Sequence, residues 1–169
     1  MISGSTIGAI VGACIAGLWG IAGAVALSGR SRAFAALLSC AVSAGIVMGL
    51  LHHAPRAAVG VFHGGIYGIA VTAEGMGIAV AIPLLKRLNR PHLLMPAISF
   101  LVGLHFLGLW QATGLIRFVL VAVGICLVAA WGALLAAPRR SMKASTVQAV
   151  VAFGTALVLW AAAFFSMVF

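Results

Sequence analysis

The chain has 169 residues, 64% hydrophobic and 7% charged, and ten Lys and Arg against one acidic residue give a formal charge of +9. Water-soluble chains carry about 25% charged residues, so this composition excludes a soluble globular domain and specifies an all-α integral membrane protein. The cations stand in short groups between apolar runs rather than together on one solvated face, which excludes a nucleic-acid footprint.

The N-terminal segment MISGST lacks the basic region of a cleavable signal. The first apolar run, about residues 6–27, is therefore expected to be retained, although Ala24-Val25-Ala26 resembles a cleavage site. Along it Gly4, Gly8, Gly12, Ala16, Gly20, Ala24 and Ser28 recur every fourth residue. Such small-residue ridges let membrane helices approach closely. Their partner here is either another helix of the chain or a second copy of it.

The second run, about 33–51, ends at His52-His53-Ala54-Pro55-Arg56. The third, about 59–85, exceeds the roughly 20 residues needed to span a bilayer and contains the only acid, Glu74. At about 100° per residue His63, Tyr67 and Glu74 share one side of this helix, and Gly60, Gly64 and Gly68 form a ridge elsewhere on it. The fourth run, about 93–113, carries His105. The fifth and sixth cover about 115–137 and 145–168. Pro55, Pro91 and Pro138 fall in the turns, where proline starts or ends helices. Pro83 and Pro96 fall near helix ends.

The whole chain, residues 1–169, thus reads as a single transmembrane domain, a compact bundle of six transmembrane helices without an extramembrane domain. Orientation follows from the cations. The turns after runs one, three and five hold Arg30, Arg32, Lys86, Arg87, Arg90, Arg139, Arg140 and Lys143, whereas those after runs two and four hold Arg56 and Arg117. The positive-inside rule makes the cation-rich turns cytoplasmic and puts both termini on the other side.

Gly17-Leu18-Trp19 with Gly23 recurs as Gly108-Leu109-Trp110 with Gly114. An inverted repeat of three helices is a common transporter layout, but the polar residues do not follow it, since the same offset carries Glu74 onto Phe165.

One constellation holds chemistry. Runs three and four are joined by a tight basic turn and are expected to form an antiparallel hairpin. Glu74 lies twelve residues before Lys86 and His105 thirteen after His92, so both stand about 18–20 Å from the turn, at one level. A carboxyl in an apolar medium is protonated or partnered, and His105 is the available partner, with Tyr67 and His63 further along the same side. Carboxyl–imidazole chains are typical of proton relays; buried polar pairs that merely pin helices together are also common. His52, His53 and His92 lie at helix ends, as interfacial or solvated residues.

One acidic residue excludes two-carboxylate hydrolysis. The five histidines are too scattered for a histidine-rich metal site, and His63 and His105 lie at different depths, which disfavours bis-histidine haem. Cys14, Cys40 and Cys126 lie in separate runs without metal spacing and read as small packing residues. No metal, cofactor or catalytic residue is expected, and the chain reads as a non-enzyme whose partners are the bilayer and either further copies or a membrane complex.

The segment Val102-Gly103-Leu104-His105-Phe106, following Pro96, resembles one in small bacterial multi-pass membrane proteins of unknown function. The likeness covers part of runs three and four. It implies a bacterial inner-membrane protein and no particular activity. The residues themselves point to passage of a proton, ion or small solute at Glu74 and His105, against an accessory or scaffolding subunit, or a protein that binds a lipid or small molecule.

Overall fold

A computed structural model describes residues 4–53, 63–137 and 142–168. The described residues form helices without strands: α1 (Gly4–Val25), α2 (Gly29–His53), α3 (Gly64–Arg87), a 3₁₀ turn (Pro91–Leu93), α4 (Leu94–Thr113), α5 (Arg117–Leu135) and α6 (Ala144–Val168). All six α-helices are long and apolar enough to cross a membrane.

The helix ends follow local chemistry. The basic segment after α1 is itself helical, because Ser31 Oγ donates to the Ser28 carbonyl (2.5 Å) and Arg32 Nε to that of Leu27 (2.9 Å), which ties the first turn of α2 to the preceding loop. Lys86 and Arg87 fall in the last turn of α3, where cations meet the negative end of the helix dipole. Asn89 then adopts a left-handed conformation (φ 55°), and the Arg90 N–H reaches back to the Leu85 carbonyl at 2.9 Å. This is the usual way of closing a helix with Gly or Asn. Gly114 (φ 72°) ends α4 likewise, its N–H 2.7 Å from the Trp110 carbonyl. His63 occupies the N-cap position of α3 without a side-chain capping hydrogen bond. The remainder of the expected start of that helix, with Gly60, lies outside the described residues.

The chain divides into two compact units, Met1–Val59 with Ala152–Phe169, and Gly60–Val151. α6 is shared between them, its residues through Val151 in the second and the rest in the first.

In the first unit α1 presents Thr6, Ala9, Ala13, Ala16, Gly20, Gly23 and Ala24 as its buried stripe. This departs from the strict four-residue ridge of the sequence. Each step of four residues rotates about 40° around the helix, so the ridge spirals away. Ala16, Gly20 and Ala24 are buried, whereas Gly8 is exposed and Gly12 half-buried, with nothing within 4 Å of a Cβ at either. Close approach is made by Gly20 of the ridge, against Ser39, and by two glycines outside it: a Cβ at Gly17 would lie 2.7 Å from Ser43 Oγ and one at Gly23 3.0 Å from the Phe153 ring. Ser43 joins three helices: its hydroxyl donates to the Ala13 carbonyl (2.9 Å) and accepts from Trp160 Nε1 (2.8 Å).

In the second unit α4 and α5 pack through Gly103, whose Cβ would lie 2.7 Å from Cys126 Sγ and 3.2 Å from the Ala122 carbonyl. Leu135 of α5 meets Val147 and Val151 of α6 in a buried cluster flanked by Met95 and Val128. α3 packs on α4 and buries none of its residues fully.

Candidate functional site

α3 and α4 run antiparallel, as the short turn between them requires, and the His63 N–H donates to the Ala112 carbonyl at 2.9 Å across the far end of the hairpin. Within the hairpin each helix offers one stripe at the helical spacing of three and four. From α3 it runs Ile66, Ile69, Ala70, Ala73, Glu74; from α4 it runs Leu101, Leu104, His105, Gly108, Gln111. The stripes border a groove of about 420 Å³.

The pair of interest lies in that groove. His105 Nδ1 is 3.0 Å from Glu74 Oε2, the side chains being 10% and 23% exposed respectively. The contact has the length of an ion pair, while Nδ1 is not aligned for a straight N–H···O hydrogen bond. It is an ionic attraction when the imidazole is protonated, and carries little directional lock.

Two close contacts hold the helices at this spacing, one on each side of the pair. Gly108, three residues after His105, lies against Ala70, four before Glu74, so closely that a Cβ there would collide with the Ala70 methyl. Gly77, three after Glu74, meets Leu101, four before His105, where a Cβ added to the glycine would lie 3.0 Å from Cδ2. Each contact is about one helical turn from the pair. The shared level of Glu74 and His105 thus rests on small residues that let the two backbones come close.

Tyr67 stands beside the pair. Its ring meets that of His105 edge-on, centroids 5.5 Å apart and planes at 70°, and its own N–H donates to the His63 carbonyl at 3.2 Å. His63 is exposed at the N-cap of α3, eleven residues from Glu74 and hence about 16 Å along the axis. It belongs to the mouth of the hairpin rather than to the pair.

The remaining candidates separate by position. Gly4 and Gly64 open α1 and α3, and Gly64 and Gly68 are exposed, with nothing within 4 Å of a Cβ at Gly68. Among the described residues, then, Gly68 of the third-run ridge has open space where a Cβ would be, and close contacts between α3 and α4 are made by Gly77 and Gly108. Gln111 joins the groove although the sequence reading passed it over. The available signal was its spacing, since Leu104, Gly108 and Gln111 fall at i, i+4 and i+7. Among the described residues no three His, Cys, Asp or Glu side chains gather as ligands.

No family model, curated protein or solved structure matches the chain. The resemblance of residues 102–106 to small bacterial membrane proteins therefore rests on that segment alone.

Proposed function

We propose that the protein passes a proton, an ion or a small solute across a bacterial inner membrane, with Glu74 and His105 as its gate and Tyr67 and His63 on the approach. One observation carries this reading: the single carboxylate of the chain lies 3.0 Å from an imidazole of the neighbouring helix, inside segments apolar enough to cross a membrane. A charged side chain at the middle of a bilayer costs about 2.5–3.5 kcal/mol on insertion scales, and such residues usually serve ion pathways or proton relays. The groove supports access, since Glu74 opens onto it. The pair joins one carboxyl and one imidazole, two groups that can each exchange a proton. A proton moving between water and the imidazole changes the net charge of the pair, and with it the attraction for whatever ion stands in the groove.

The test is reconstitution into proteoliposomes. Flux that varies with pH is expected, and Glu74→Gln is expected to abolish it while the protein keeps its helical content and elutes as a folded particle. Flux that survives Glu74→Gln, with only thermal stability reduced, would reduce the pair to a structural pin.

The second reading, an accessory subunit of a membrane complex or a self-associating protein, is favoured by α3. That helix fully buries none of its residues within its own chain, and Gly65, Gly68 and Gly75 have open space where a Cβ would be. It predicts co-purification with a partner at fixed stoichiometry and no flux in the isolated protein.

A further inference from the structure

From the α3–α4 groove we infer that the substrate is a monovalent lipophilic organic cation, bound by Glu74 in exchange for a proton on His105. The inference rests on the passage reading above and names its substrate class. Glu74 is the only acidic side chain in a protein with ten Lys and Arg, so a cation finds a side-chain countercharge nowhere else. The groove leading to it is walled by Ile66, Ile69, Leu101 and Leu104, with Ala73 and Gly108 leaving the space open. Its volume of about 420 Å³ falls within the roughly 300–1,000 Å³ of small-molecule sites. A strongly hydrated inorganic ion gains nothing from such walls. An organic cation with apolar substituents gains burial along the groove and a countercharge at its end.

Exchange follows from counting charges. The carboxylate neutralises one cation, and when the imidazole 3.0 Å away is protonated that cation is the His105 imidazolium. A second cation arriving there is repelled by the imidazolium, so the ring gives up its proton to water as the organic cation takes its place. Charge balances: a carboxylate–imidazolium pair and a free cation become a carboxylate–cation pair, a neutral imidazole and a released proton. The loose alignment of Nδ1 on Oε2 helps, because no well-aligned hydrogen bond is broken. The titratable groups near Glu74 come from few elements. α4 brings His105; α3 itself brings Tyr67, with His63 at its start and Lys86 and Arg87 at its end; the 3₁₀ turn brings His92 at the basic end of the hairpin.

The probe is benzyltriethylammonium, which has no proton of its own to lose. Binding to the full-length protein in phosphatidylglycerol nanodiscs is measured by calorimetry in two buffers of different ionisation enthalpy, which counts protons. Saturable binding is expected, accompanied by release of a proton to the buffer. Glu74→Gln is expected to weaken binding at least tenfold. His105→Gln is expected to bind without releasing a proton. Ile69→Trp, which fills the groove at an exposed position and leaves the pair intact, is expected to lose binding even if Glu74→Gln fails to fold. Equal binding by Ile69→Trp, or wild-type binding without proton release, overturns the proposal. So does loss of binding in phosphatidylcholine nanodiscs, which would assign the groove to a lipid headgroup. Glu74-dependent proton flux with no binding of the probe sinks the substrate class and leaves the passage reading standing; binding with proton release but no flux of either ion does the reverse.

Discussion

Glu74 has its partner on the neighbouring helix, and its energetics belong to the pair. Removing either member leaves the other in an apolar groove with its charge or hydrogen-bonding capacity unmet, while removing both leaves two amides that bond to each other or to water. The costs of Glu74→Gln and His105→Gln are therefore expected to be non-additive, with a coupling of about 0.5–3 kcal/mol typical of residues in direct contact. Thermal unfolding of the wild type, both single variants and the double variant in one detergent measures it. A coupling near zero would mean that the 3.0 Å approach contributes nothing to stability. The juxtaposition itself was legible in the sequence. A fixed rise per residue and a turn too short to shift the register put Glu74 and His105 at one level, and the facing stripes then bring them together. The placement of Tyr67 was half legible: its side of α3 followed from spacing, but not its edge-on seat against the imidazole, which depends on the rotation of α4.

At the scale of the helix pair, the sequence overstates regular glycine ridges and understates isolated small residues. Gly8 and Gly12 stand in a perfect four-residue repeat, yet among the described residues nothing lies within 4 Å of where a Cβ would be, because such a repeat winds around the helix. Gly108 stands in no four-residue ridge and lies so close to Ala70 of α3 that a Cβ there would collide with it, which is visible only once Ala70 is known to lie opposite. Gly108→Ala is expected to push the helices apart, lowering stability by roughly 1–3 kcal/mol, the usual cost of overpacking, and weakening any property that depends on the Glu74–His105 contact. Adding Ala70→Gly removes the colliding methyl, and the double variant is expected to recover most of both losses; thermal melts and proteoliposome flux on the same three proteins test this. Failure of Ala70→Gly to rescue would show that the contact does not set the spacing. In the first unit Trp160→Phe deletes the donor to Ser43 and leaves a smaller aromatic ring, while Ser43 still donates to the Ala13 carbonyl. A loss of about 0.5–1.5 kcal/mol is expected, read as the shift in the unfolding midpoint, with Ser43→Ala costing more because Trp160 and the Ala13 carbonyl then both lose a partner.

For the whole chain the open quantity is direction across the membrane, and the cation distribution makes a sharp statement about it. Turns that share a side under the six-span reading carry eight cations on one side and two on the other. A bias of that size, in loops short enough for the rule to hold, favours one insertion over its inverse rather than a mixture of both. Arg90 and Ile116 are exposed at opposite ends of α4, so they report opposite sides if that helix spans the bilayer. With Cys14, Cys40 and Cys126 replaced by alanine, a membrane-impermeant maleimide applied to right-side-out vesicles is expected to label Ile116→Cys and to spare Arg90→Cys until the vesicles are opened; inverted vesicles should show the reverse. Labelling of both sites from one side would mean that α4 does not cross, and labelling of Arg90→Cys alone that the chain inserts the other way round. Either result would matter for the groove. Gln111 of the groove lies with His63 at the Ile116 end of the hairpin, so if the proposed route enters there, the direction of insertion decides from which compartment Glu74 is approached.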